Sequence, residues 1–280
     1  MSIVLIDGQF LPLEEASLPV SSRGFLFGDG VFTSIRVKNG KIECLQGHLE
    51  RLKQNCECLN ILFPDIQLDK VFELVRRAKA DQGIWKMKMI ITGGTKADLC
   101  LTYRPHGHVI VMLTPYEPPA VPFYNTTVYP HSVQKPTASI KSLAYLDRLW
   151  IKEYARQHNM DDAITTTHQR VLLEAAFSNI FWCEKNNFYT PDPNLPLIKG
   201  ISLSIMIEAA EKLNMKVHYV RNKLNDISEH ANLFLSNAMI GFHPLVQVGE
   251  RCFKRNLDFE KSLWQEREAI ILETAVENGH

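Results

Sequence analysis

The sequence predicts a mixed α/β fold in two domains, on three observations. Strand-like runs, alternating or β-branched, recur through the chain, as at 3–6, 85–91 and 163–167. Between them lie segments whose apolar residues return every three or four positions, as in amphipathic helices. Four prolines in Pro115-Tyr116-Glu117-Pro118-Pro119-Ala120-Val121-Pro122 then fix φ and remove backbone donors, so neither a helix nor a central strand passes through. Residues 115–122 are read as a linker between a small N-terminal domain, 1–114, and a larger C-terminal domain, 123–280. At 280 residues the chain is long enough for one or two domains and a large core.

In the first domain, strands are predicted at 3–6 and 31–37, and Lys38-Asn39-Gly40-Lys41 is a hairpin signal leading into a strand at 42–45. A helix over 48–59 carries Leu49, Leu52, Cys56 and Leu59 on one face, and a second over 68–80 carries Val71, Leu74, Val75 and Ala78. Alternating Trp85, Met87, Met89 and Ile91 give a half-buried strand, and 109–113 another. In the second domain, strands are predicted at 126–129, 163–167, 179–183, 217–220 and 233–235. Helices are predicted at 142–158, with Leu143, Leu146, Trp150 and Tyr154 recurring, at 201–213, with Ile201, Ile205, Ala209 and Leu213, and at 258–277.

Bulk properties exclude several functions. Lysine plus arginine and aspartate plus glutamate balance at 31 each, which removes the electrostatic case for nucleic acid or an anionic membrane surface. No apolar run approaches the roughly 20 residues of a membrane span, and the amino terminus lacks the charged start and apolar core of a signal peptide. Cys56 and Cys58 stand one residue apart with no histidine pair after them, so they are not a metal knuckle. Six cysteines in this length form no disulfide framework, and the expected compartment is the reducing cytoplasm.

Two ionisable residues in apolar settings mark the most informative stretch. Lys141 stands between Ile140 and Ser142 ahead of a helical pattern, and Glu174 follows a strand-like run in Leu173-Glu174-Ala175-Ala176-Phe177-Ser178-Asn179-Ile180-Phe181. A lysine becomes nucleophilic at neutral pH when desolvation or nearby positive charge lowers its pKa, and it then attacks carbonyls. A carboxylate can keep a pyridine-type nitrogen protonated. Taken singly, each reads more readily as a solvated surface residue.

Together with their spacing, the blocks Lys141-Ser142-Leu143-Ala144-Tyr145-Leu146 and Leu173 to Phe181 resemble the class IV, or fold type IV, pyridoxal-phosphate enzymes. Leu197-Ile198-Lys199-Gly200-Ile201-Ser202 and Phe234-Leu235-Ser236-Asn237-Ala238 extend the match, which runs from about Ile3 to Pro244. The resemblance implies a small α/β domain, a larger pseudo-barrel domain, a homodimer and pyridoxal 5'-phosphate as cofactor. It makes Lys141 the residue that carries the cofactor and moves the proton, and Glu174 the partner of its ring nitrogen. Arg51, in His48-Leu49-Glu50-Arg51-Leu52, becomes a phosphate ligand; a solvated helical arginine is the alternative on residue type. Ile201 and Ser202, at a helix start, become the second arm of the phosphate site, although Leu203 replaces the arginine usual there. Asn237 completes that arm, and Tyr145 reaches the cofactor's phenolic oxygen or packs in the core.

Arg23-Gly24-Phe25-Leu26-Phe27-Gly28-Asp29-Gly30-Val31-Phe32-Thr33-Ser34-Ile35-Arg36-Val37 is similar to the family's glycine-rich entry, with Ser22 where aspartate is common. Glycines 24, 28 and 30 permit tight bends and close approach of backbone to a ligand. The position after Phe32 separates branches of the family: the branched-chain and D-amino-acid transaminases carry glutamate, the aminodeoxychorismate lyases threonine, a small residue and then arginine. Thr33-Ser34-Ile35-Arg36 is similar to the lyase pattern. The resemblance thus implies a lyase taking 4-amino-4-deoxychorismate to 4-aminobenzoate and pyruvate for folate synthesis, with Lys141 and Thr33 moving protons and Arg36 binding a substrate carboxylate. A class IV transaminase is the alternative, and an inactive binding protein on the same fold a more remote one. Where relatives carry a Ser-Arg-Gly turn this chain has Thr92-Gly93-Gly94, leaving Arg104 or Lys96 to supply positive charge.

Overall fold

The computed structural model describes residues 3–95, 99–133 and 135–276, so Lys96 lies outside the described residues, as does residue 277, the last of the helix expected at 258–277. The chain forms two compact units. Unit 1 comprises Met1–Pro118, Ile140–Tyr145 and the residues from Thr274 onward; unit 2 comprises Pro119–Ser139 and Leu146–Glu273. The division is therefore not linear in sequence. A cut at residues 115–122 assigns the segment around Lys141 to the second domain, whereas it packs with the first unit.

Unit 1 is a six-stranded sheet in the order β2-β1-β6-β5-β3-β4, formed by β1 (Ile3–Ile6), β2 (Gln9–Pro12), β3 (Gly30–Lys38), β4 (Lys41–Ile42), β5 (Ile84–Thr92) and β6 (Val109–Pro115). Helices α1 (Arg23–Phe27), α2 (Leu45–Cys58) and α3 (Leu68–Arg77) complete it. Strand alternation sends Val31, Ile35, Val37, Met87, Met89 and Ile91 to one face, where they meet Leu52, Cys56, Val71, Leu74 and Val75 of the helices in one buried cluster. The strand expected at 42–45 is only two residues long. Cys44 takes a left-handed conformation (φ 51°) and starts α2 at Leu45, three residues earlier than the apolar spacing implied.

The segment 141–143 docks as a short extra strand against the start of β3. Phe32 N donates to Lys141 O (3.0 Å), Leu143 N donates to Gly30 O (2.9 Å), and Ser142 bridges Val31 antiparallel. Gly28 makes this possible: its φ is 64°, and a Cβ there would lie 2.9 Å from the Ala144 backbone. Gly30 is likewise closed, with a Cβ 2.5 Å from Ile91 O. Gly28 and Gly30 thus admit neighbouring chain. Lys141 does not open a helix; the next helix starts only at Leu146.

A buried ion network ties this region together. Asp29 Oδ2 accepts from Arg23 Nε and Arg104 Nη2, both at 2.6 Å. Arg104 also donates to Gly93 O (2.9 Å) and Leu59 O (3.0 Å) and is 4% exposed. It is therefore a clamp on the Gly93 turn, with Nε, Nη1 and Nη2 all engaged within the protein, rather than the substrate-side charge that one reading of the sequence offered. Arg104→Met should lower unfolding stability by on the order of 3 kcal/mol, because it strips a partner from a buried carboxylate. An unchanged urea midpoint with an unchanged slope would contradict that role.

Unit 2 contains β7 (Tyr124–Val128), α4 (Leu146–Gln157), β8 (Asp162–Thr166), β9 (Leu172–Ala175), β10 (Asn179–Glu184), β11 (Asn187–Pro191), α5 (Ile201–Lys212), β12 (Lys216–Val220), β13 (Asn232–Asn237), β14 (Gly241–Val248), β15 (Arg251–Cys252) and α6 (Leu257–Thr274). Its sheet runs β12-β11-β10-β13-β14-β7-β8-β9, and β9 pairs back onto β10 through Glu174 and Asn179. That last pairing closes six strands into a ring, the pseudo-barrel that the family resemblance implies. Ile164, Leu172, Ile180, Trp182, Leu233, Leu235 and Leu245 form one core cluster. Phe181 stacks on Phe188 and Phe234, each at 4.9 Å between ring centres.

Helix α4 corrects the sequence reading. Leu146, Leu149 and Trp150 are exposed at 75%, 53% and 67%, and the buried stripe is Arg148, Ile151 and Ala155. No helix among the described residues is long and apolar enough to cross a membrane.

Candidate active site

Unit 1 brings together four of the residues singled out in the sequence: Thr33, Arg51, Lys141 and Tyr145. Thr33 is fully buried in β3, and its Oγ1 accepts a hydrogen bond from Arg51 Nη2 at 2.8 Å. The same oxygen lies 2.6 Å from His48 Nδ1. Helix α2 supplies both partners because residues three apart share one face. Lys141, fixed on the edge of β3, places Nζ 3.5 Å from Tyr145 Oη and 4.6 Å from the centre of the Phe32 ring. Tyr145 packs edge-on against that ring at 5.0 Å.

His48 was not singled out, although it precedes Leu52 by four and Cys56 by eight and so lies on the buried stripe of α2. Burial first, then the charges of Arg51 and Lys141, hold its pKa well below the ordinary imidazole range. It is therefore neutral, with one ring nitrogen a donor and the other an acceptor. Arg51 fills one lone pair of the Thr33 oxygen, so the hydroxyl proton can be given to His48 Nδ1. Burial lowers the Arg51 pKa to about 10, against an opposing influence from Tyr145, and it remains a cation at neutral pH.

Arg36 does not join this group. Alternation along β3 turns it to the face opposite Thr33, where its Nε lies 2.9 Å from both carboxylate oxygens of buried Glu43. The cation that does approach Phe32 from that face is Lys88, opposite Ser34 in β5, with Nζ 4.7 Å from the ring centre. Half-burial, and then the neighbouring charge of Lys86, lower the Lys88 pKa. Its alternation with buried Met87 and Met89 places it on the opposite, half-buried face of β5.

Unit 2 holds the remaining residues. Glu174 is 4% exposed, and Arg148 Nη2 donates to its Oε1. The carboxylate also accepts from the Ile198 amide (3.2 and 3.3 Å) and from Asn179 Nδ2 (3.4 Å). Ile201 and Ser202 open α5, whose first intrahelical bond is Ser204 N to Gly200 O (3.1 Å), so the amides before Ser204 lie outside the helical ladder. No side chain caps that end, and Ser202 Oγ donates to Gly241 O (2.8 Å). Gly200 is tightly seated, since a Cβ would fall 1.9 Å from Asn179 Oδ1. The Asn237 side chain shapes the following turn, accepting from Met239 N (2.9 Å) and Ile240 N (3.0 Å) and donating to Ser178 Oγ (2.9 Å).

In unit 1 an amine beside a phenol suits a carbonyl compound and a guanidinium suits phosphate; in unit 2 an uncapped helix start suits phosphate and a buried carboxylate suits a basic ring nitrogen. Among the described residues, no cluster of histidine, cysteine and acidic side chains could hold a metal ion.

The model of the amino-transferase class IV family matches residues 30–248. A putative branched-chain-amino-acid aminotransferase of Methanocaldococcus jannaschii is 24% identical over 257 residues, covering 89% of this chain and 88% of that one. A D-alanine aminotransferase of Staphylococcus epidermidis is 28% identical over 225 residues (75% and 76%), and the aminodeoxychorismate lyase of Bacillus subtilis 23% over 257 residues (89% and 87%). Among solved structures, a branched-chain aminotransferase from Thermoproteus uzoniensis with norvaline superposes with a TM-score of 0.86 over 99% of both chains at 19% identity, a likeness of fold.

Proposed function

The chain belongs to the amino-transferase class IV family, and from that membership we propose that it is a lyase converting 4-amino-4-deoxychorismate to 4-aminobenzoate and pyruvate. Its cofactor is pyridoxal 5'-phosphate. When bound, this group supplies an electron sink conjugated to the substrate's amine-bearing carbon. Lys141 would hold it covalently, Arg51, Ile201 and Ser202 its phosphate, Tyr145 its phenolic oxygen and Glu174 its ring nitrogen.

One observation carries the choice of lyase: residue 33 is a threonine, held between Arg51 and His48. Threonine is small and neutral, so it orients Arg51 without cancelling its charge and leaves volume for a rigid six-membered ring. A glutamate, as the transaminases resembled here carry, would add bulk and a negative charge that repels the substrate's two carboxylates. Lys141 Nζ removes the proton from the amine-bearing ring carbon and returns a proton as the enolpyruvyl group leaves. Thr33 Oγ1, with its own proton directed by His48, exchanges protons beside it. Lys88 is better placed than Arg36 for a substrate carboxylate, since Arg36 Nε is committed to Glu43.

The name of the Bacillus subtilis relative supports this reading, and those of the Methanocaldococcus and Staphylococcus relatives support a transaminase. The test is to offer aminodeoxychorismate with no keto acid. Release of 4-aminobenzoate and pyruvate is the expected result. Rapid conversion of the cofactor to its amine form by leucine or D-alanine, with no 4-aminobenzoate formed, would show a transaminase instead.

Arg51→Ala should weaken cofactor binding more than turnover at saturating pyridoxal phosphate. Loss of a charge-assisted bond costs about 1.5–3 kcal/mol, roughly ten- to a hundred-fold in affinity. Equal affinity in variant and parent would remove Arg51 from the phosphate site.

A further inference from the structure

We propose that Arg148 is a positioning residue for the cofactor, keeping Glu174 ionised so that the cofactor's ring nitrogen can retain its proton. The inference rests on the reading that Glu174 faces that nitrogen, and it names the residue on which Glu174 depends.

Glu174 and Arg148 are 4% and 3% exposed, and Arg148 reaches the carboxylate with Nη2 while Nη1 donates to Ala175 O at 3.3 Å. The second bond fixes the guanidinium against β9, so the pair is held at both ends. Burial by itself disfavours the charged form of a carboxyl group. Asp162, on the adjacent strand β8, shows the effect within the same unit. It accepts hydrogen bonds from the amides of Ala163 (2.8 Å) and Ala176 (3.2 Å), and burial raises its pKa despite the more distant charges of Lys152 and Arg148. Glu174 differs in having a cation bonded directly to it.

The consequence for a ring nitrogen follows from charge. A carboxyl group and a pyridine nitrogen that share one proton can exist as carboxylate and pyridinium, or as two neutral groups. A dry site favours the neutral pair. A guanidinium bonded to the carboxylate reverses the preference, because it stabilises the anion more than the neutral acid and cannot surrender its own proton. Arg148 thus sets the proton on the ring, where it makes the cofactor an electron sink. The Ile198 amide and Asn179 assist by donating to the same oxygens, but they carry no charge.

The test is 15N NMR of the holoenzyme loaded with pyridoxal phosphate labelled at the ring nitrogen, which reads protonation of that atom directly. The parent and Arg148→Lys should show a protonated nitrogen. In Arg148→Met and Arg148→Gln the resonance should move toward the unprotonated position. Glutamine keeps a hydrogen-bond donor and serves if the methionine variant does not accumulate. A merely structural arginine predicts the opposite pattern, with glutamine leaving the resonance in place. If Glu174→Gln moves the resonance while the neutral Arg148 variants do not, the role of Arg148 is overturned and that of Glu174 stands. If Glu174→Gln also leaves it unmoved, the placement of Glu174 fails, and the present inference with it.

Discussion

Lys141→Ala yields a folded protein that no longer carries its cofactor covalently and whose turnover falls by on the order of 10⁴, the upper range for loss of a proton-transferring group. Folding should survive because the Lys141 backbone, not its side chain, joins β3 through Phe32 N, and because Ser142 keeps its bridge to Val31. The Nζ lies between the Phe32 ring and Tyr145, and an alanine there leaves a gap next to Tyr145 without removing a core residue. Borohydride reduction followed by peptide mapping is the direct check on the parent. A pyridoxyl group found on Lys88, Lys135 or Lys152 would move the site elsewhere.

Thr33→Glu has the second largest expected effect, a loss of lyase turnover of at least about a hundredfold with a smaller loss of cofactor binding. Position 33 has no exposed surface, and the Oγ1 it presents is already engaged by Arg51 and His48. A carboxylate there would pair with Arg51 and fill the space proposed for the substrate ring. Two further variants separate bulk from chemistry. Thr33→Ser keeps the hydroxyl and should retain most activity. Thr33→Val keeps the volume and removes the hydroxyl, and should lose turnover while KM changes little. If valine and threonine turn over alike, Thr33 moves no proton and acts through size alone.

Much of the fold is legible in the sequence where local pattern and burial agree. Helices α3 and α5 follow their apolar spacing, and β5 follows the alternation of Trp85, Met87, Met89 and Ile91. The reading fails where a partner lies far along the chain. Arg148 occupies the buried stripe of α4 because Glu174, 26 residues later, meets it there, while Leu146 and Trp150 are left exposed. Local periodicity therefore selects the wrong face. Strands β9, β11 and β14 are short, or interrupted by residues such as Pro244, and are set by ring closure rather than propensity. At the candidate site, Lys141 and Glu174 stand out through the resemblance of the blocks that carry them, not through residue type, whereas His48 reads as an ordinary helix residue until Thr33 is placed against it.

The three-part make-up of unit 1 also bears on how the chain is made. A ribosome releases residues 3–118 first, yet the start of β3 has no partner on one edge until the segment around Lys141 emerges. The edge of β4 waits longer, for Val276, whose amide and carbonyl both bond Ile42 at 3.1 Å. At roughly 5–20 residues per second, that edge stays open for some tens of seconds after its own strand has appeared. An open strand edge invites pairing with other chains. Unit 1 thus begins to emerge before unit 2 but gains its Val276 partner after it, and a nascent chain stalled before α6 would carry this β4 edge unpaired by Val276.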